Sequence, residues 1–117
     1  MRPLHHPNKA DITLAGVLHA LGDPIRLEIV RNLAAHGERC CSSTVERDLP
    51  KSTLSHHIRV LRDAGLIRMR KEGVYFVNTL RRDELDERFP GLLASVLDAA
   101  CAAPGPRRAD VEQPAAE

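Results

Sequence analysis

At Gly65 the spacing of the apolar residues changes period. Upstream, in KSTLSHHIRVLRDAGLI (residues 51–67), Leu54, Ile58 and Leu61 recur at i, i+4 and i+7, one stripe of a helix. Ala64-Gly65 ends that helix. Downstream, Ile67 and Met69 alternate with Arg68 and Arg70, and a β-rich run follows from Val74 to Thr79. Glu72-Gly73 between the two runs reads as a hairpin turn. A helix delivered directly into a two-stranded hairpin leaves few compact architectures open.

The elements on either side narrow the choice. Leu14, Val17, Leu18 and Leu21 predict a first amphipathic helix that stops at Gly22. In DPIRLEIVRNLAAHG, Asp23 caps a second helix, Pro24 occupies its first position and Gly37 stops it. Ile25, Ile29, Val30, Leu33 and Ala34 make its buried stripe. SSTVERDL predicts a short third helix, with Ser43 and Glu46 spaced as a capping box. The last helical run extends from about Asp83 to Cys101, and Pro90 must kink or divide it. The expectation is a mainly α fold with a small β-hairpin, a winged helix-turn-helix. Residues 1–10 read as a flexible N-terminal arm, 11–102 as the domain and 103–117 as a disordered tail.

With 117 residues the chain suits one domain, and no apolar run reaches the roughly 18 residues of a membrane helix. The N-terminus lacks the apolar stretch of a signal peptide, and three cysteines do not suggest a disulfide framework. A cytoplasmic protein with no membrane partner is expected.

The net charge of +1 conceals a pattern. Residues 51–82 hold eight Lys/Arg against Asp63 and Glu72, a net of +6. Residues 83–117 hold three Arg against eight acids, a net of −5. A local basic footprint points toward nucleic acid. Ser52, Ser55, His56 and Arg59 lie opposite Leu54, Ile58 and Leu61, so the outer face carries hydroxyls, an imidazole and a cation suited to phosphates and base edges. Arg68, Arg70 and Lys71 put charge near the hairpin tip, where it can lie along neighbouring phosphates. His57, three residues after Leu54 and beside Ile58, falls at the core edge and is expected to anchor the helix.

Three stretches, LGDPIRLEIVRNL, KSTLSHHIRVLRDAGLI and RKEGVYFVNTL, resemble the ArsR/SmtB family of bacterial repressors across roughly residues 12–100. The resemblance implies a homodimer that binds an inverted-repeat operator in double-stranded DNA. It also implies release when a metal, metalloid or oxidant is sensed. Carried over by position, the DNA-contacting face falls on Lys51, Ser52, Ser55 and His56, with Thr53 and Arg59 nearby. Dimerisation would use the first and last helices, through Leu14, Val17, Leu18, Leu92, Leu93, Val96 and Leu97. The chain departs from the family pattern at Pro50, where a capping Ser or Thr is usual.

The sensor is expected among the thiols. One family branch binds soft metals or arsenic(III) through a Cys-x-Cys pair at the third helix; here Cys40 and Cys41 are adjacent. Another uses histidines on the last helix, and no histidine follows His57. Cys101 could add a third sulfur to Cys40 and Cys41, giving a site for a thiophilic metal or arsenic(III). The same thiols could instead act as a redox sensor, or have no sensing role. His5 and His6 in the arm, like His19 and His36, read more simply as polar sequence than as added ligands.

An enzyme is not expected. Ser55 and His56 are helix neighbours pointing about 100° apart, so they cannot pair as nucleophile and base. The alternative from another class is a winged-helix protein-interaction module without its own operator, which would not need +6 of charge on one segment.

Overall fold

The computed structural model describes residues 4–102, so the expected tail at 103–117 and residues 1–3 of the arm lie outside the described residues. Its helices are α1 (Leu14–Leu21), α2 (Pro24–His36), α3 (Lys51–Ala64), α4 (Arg82–Arg88) and α5 (Leu92–Ala102). Its strands are β1 (Arg39–Cys40), β2 (Ile67–Glu72) and β3 (Tyr75–Leu80), antiparallel in the order β1-β3-β2. This is the expected winged helix-turn-helix, with one strand added to the hairpin.

The local punctuation works through ordinary chemistry. Thr13 accepts the Gly16 N–H and caps α1. Asp23 accepts the Ile25 and Arg26 N–H groups and caps α2, with Pro24 behind it. Gly65 terminates α3 at φ +90°, and a Cβ there would meet Ile12 Cγ1 at 2.5 Å. Only glycine meets both conditions.

One expectation about helices changes. SSTVERDL forms no helix: a 3-10 turn, Cys41–Ser43, leads into irregular chain up to Pro50. Tertiary partners take the groups a helix would have used. The Glu28 carboxylate accepts the Glu46 N–H at 2.8 Å and pairs with Arg47 at 2.7 Å. Asn32 donates to the Thr44 carbonyl at 2.8 Å. Pro50 meanwhile disfavours the helical region for Leu49. Glu46 is therefore held from outside, not by Ser43. The last run is divided at Pro90, one of the two outcomes expected there, with Phe89–Gly91 separating α4 from α5.

Sheet register also refines the hairpin. Glu72 pairs with Tyr75, so the two-residue loop is Gly73–Val74, one position later than expected, with Gly73 at φ +62°. β1 pairs Arg39 with Asn78 and Cys40 with Val77; a two-residue strand is too short to show a period in sequence.

Ile29, Val30, Ile58, Leu61, Leu66 and Ile67 are fully buried at the junction of α2, α3 and the sheet. Leu54, Ile58 and Leu61 are the apolar stripe of α3. At about 1.5–3 kcal/mol for each such side chain, rolling that stripe outward would cost several kcal/mol. Burial thus decides which face of α3 looks outward.

Candidate nucleic-acid interface

The outward face of α3 is the one expected. Lys51, Ser52, Ser55, His56 and Arg59 are exposed, and Thr53 is half-buried at its margin. Ser52, Ser55, His56 and Arg59 line a groove of about 530 Å³ between α3 and the sheet. Phe76 of β3, Cys41, Met69 and Leu4 also line it, with Ile58 and Arg62 of α3. No local pattern marks Leu4 and Cys41 as groove residues, because their approach depends on long-range packing.

Pro50 precedes α3 without a side-chain cap. The first N–H groups of the helix therefore stay available at its positive end, where an anion is favoured.

The wing divides its cations between two faces. Register opposes Lys71 to Phe76, and Lys71 shares the strand face of buried Met69. Lys71 is therefore on the groove side. Arg68 and Arg70 project from the opposite face, which strand alternation alone could have shown. Arg70 forms a fork with Glu38 at 2.7 and 2.8 Å and also meets Glu72 at 2.9 Å. Those bonds raise the Arg70 pKa and lower that of Glu38. Arg68 binds Glu84 at 3.1 Å. Arg81 binds the same carboxylate at 2.6 Å and, with Arg68, holds its pKa down at about 2. The structure thus brings Lys71 toward the α3 face and leaves Arg68 and Arg70 in ion pairs behind the wing. Its tip is apolar, with Val74 and Tyr75 84% and 63% exposed.

His57 and His56 separate as expected. His57 is buried, and its Nδ1 lies 3.2 Å from Arg26 Nη1. Arg26 is always charged and can only donate, so Nδ1 accepts and the ring is neutral. Burial lowers the His57 pKa, with Asp23 opposing and Arg26 adding to the effect. Arg26 also donates to the carbonyls of Ala20 at 2.6 Å and His19 at 3.3 Å. One guanidinium therefore ties the C-terminus of α1 to α3. Arg26 was not among the residues singled out from sequence, since a helical Arg ordinarily reads as solvated.

Cys40 and Cys41 are half-buried, Cys101 is exposed, and all three thiols are free. Asn78 donates to Cys41 Sγ at 3.3 Å. Among the described residues no three His, Cys, Asp or Glu side chains gather closely enough to hold one ion. Within one chain the three cysteines are thus not assembled as a metal site. His5, His19 and His36 are exposed and likewise join no such group. Of the seven apolar residues on α1 and α5, Val17, Leu93 and Leu97 belong to the chain's own core. Leu14 and Leu18 are 47% and 48% exposed, and Leu92 and Val96 are half-buried. No helix among the described residues is long and apolar enough to cross a membrane.

Comparison with known proteins agrees with this architecture. A family model described as a helix-turn-helix domain matches residues 21–70. An HTH-type transcriptional regulator of Methanocaldococcus jannaschii, MJ1325, is 42% identical over 62 residues, covering 52% of this chain and 70% of that one. The arsenical resistance operon repressor of Bacillus subtilis is 37% identical over 79 residues, covering 67% and 71%. Among solved structures, the ArsR family transcriptional regulator RHA00566 superposes with a TM-score of 0.59 at 24% identity, over 77% of this chain and 98% of that one. At that identity the structure shows a shared fold.

Proposed function

The chain belongs to the ArsR/SmtB family of winged helix-turn-helix transcriptional regulators, which are not enzymes, and we propose that it is a homodimeric, operator-binding repressor. One observation carries the reading. Ser52, Ser55, His56 and Arg59 are exposed together on α3 and line one groove with the wing. Ser and His side chains address phosphates and base edges, Lys51 and Arg59 supply charge, and Lys71 extends that charge along the wing.

Leu14, Leu18, Leu92 and Val96 support the dimer, because one chain leaves them incompletely covered. A two-fold pair would set recognition helices about one turn of DNA, roughly 34 Å, apart and favour an inverted-repeat operator.

The finer proposal is release by a thiophilic metal or arsenic(III), as the name of the arsenical resistance relative suggests. Cys41 lines the groove, so an ion held by Cys40 and Cys41 would alter the DNA-facing wall. A third sulfur would come from Cys101 of a second copy. Oxidation of Cys41 at the same wall is the competing mechanism.

Fluorescence anisotropy with duplex DNA tests these points. Affinity should fall steeply with added salt. Ser55→Ala/His56→Ala should abolish operator binding while leaving the dimer intact. Salt-insensitive or absent binding by the wild-type protein sinks the repressor reading and favours a protein-interaction module. Arsenite, zinc, nickel and peroxide should then be compared on wild type and Cys40→Ser/Cys41→Ser. Release that survives loss of both thiols rules out the cysteine mechanism.

A further inference from the structure

The polar arm has no part in the repressor reading, yet it makes specific contacts. β2 is an edge strand, so alternate N–H groups on its outer side lack a ladder partner. Met69 is one of these and is only 9% exposed, so water serves its N–H poorly. His6 Nε2 accepts that N–H at 3.0 Å. The next carbonyl, Pro7 O, accepts from Arg81 Nη1 at 2.9 Å. In the other direction Leu4 enters the groove with Ser55, Ile58 and Arg59 of α3 and Phe76 of β3. The arm thus crosses from the wing to the recognition helix.

We infer that His6 is a positioning residue for DNA recognition: its bond to the Met69 N–H latches the arm across β2 and α3 and holds the wing and recognition helix as one unit. This rests on the DNA-binding reading above. Accepting at Nε2 requires a neutral ring. Arg68 of β2, Arg62 of α3 and Arg81 after β3 lie near enough for their charges to act on the imidazole, as does His5 of the arm. Glu84 pairs with Arg68 and Arg81 and only partly offsets them. Burial first, then the guanidinium groups of Arg68, Arg62 and Arg81, lowers the His6 pKa. The latched state therefore binds fewer protons than the released one. The latch is closed above the free-histidine pKa of about 6.5 and weakens as pH falls below it.

The test compares wild type, His6→Gln and His6→Ala between about pH 8 and 5.5. Two readouts are used: the exchange protection factor of the Met69 amide and affinity for a duplex. Gln can accept the same N–H and does not titrate. At the upper pH, His6→Ala should lose Met69 protection and bind about five- to tenfold more weakly, the scale of one hydrogen bond to a buried donor. His6→Gln should restore both. On acidification wild type should lose protection and lose affinity relative to His6→Gln, a comparison that cancels pH effects common to both proteins. Equal Met69 protection in His6→Ala overturns the latch. Lost protection with unchanged affinity overturns its link to recognition. Absence of duplex binding by wild type overturns the DNA reading and that link together, while exchange still decides the latch.

Discussion

Arg26 Nη1 lies 3.2 Å from Nδ1 of His57, and the same guanidinium reaches the carbonyls of Ala20 and His19. The recognition helix is therefore oriented by a buried cation that also closes the end of α1. Arg26 favours the neutral imidazole, while Asp23, 4.0 Å away, opposes it only in part.

Arg26→Ala removes three hydrogen bonds at once and strands the Ala20 carbonyl. We expect a loss of about 2–3 kcal/mol, the scale of charged hydrogen bonds together with an unsatisfied buried group. For a domain of this size that lowers Tm by roughly 10–20 °C, measurable by calorimetry. Arg26→Lys should recover little, because one ammonium cannot span the three acceptors.

The lowered His57 pKa gives a signed pH dependence. Its stabilising contribution is complete above the unfolded value of about 6.5 and is lost as pH falls through the lower folded value. Denaturant midpoints should therefore decline on acidification from pH 7. His57→Asn keeps an acceptor near Nδ1 without titrating, so its decline should be shallower, with His6 and, at lower pH, the paired carboxylates Glu38 and Glu84 supplying the remainder. An unchanged slope would show that His57 titrates alike in the folded and unfolded states, against a neutral ring held by burial and Arg26.

The wing cations should behave unequally in duplex binding. Arg70→Ala should change affinity less than about threefold, because that guanidinium is engaged by Glu38 and Glu72. Lys71→Ala should weaken binding and reduce the salt slope by about one unit. The reverse ranking would place the wing's other face on DNA.

Gly65→Ala should destabilise by at least about 2 kcal/mol in chemical denaturation, combining a left-handed backbone with the clash against Ile12. A matching change at Gly37 has open space around its Cβ and should act through the backbone alone, at φ +81° and ψ −148°.

Much of this molecule is local in origin. The stripe of Leu54, Ile58 and Leu61, the Asp23–Pro24 start, the Gly65 stop and the alternation of Ile67 and Met69 were legible because each depends on residues within one or two turns. The same periodicity separated His56 from His57. Tertiary structure decided matters set by groups far apart in sequence. Glu28 and Asn32 on α2 kept SSTVERDL from becoming a helix, despite its capping spacing. Glu38 and Glu84 drew Arg70 and Arg68 into ion pairs, so basic composition overstated the charge the wing can offer. Arg26 became a structural tie, and His6 an edge-strand acceptor, only because folding brought buried donors and acceptors within reach. Periodicity reports which face of an element is buried. It carries no record of which distant polar group will meet the partner waiting there.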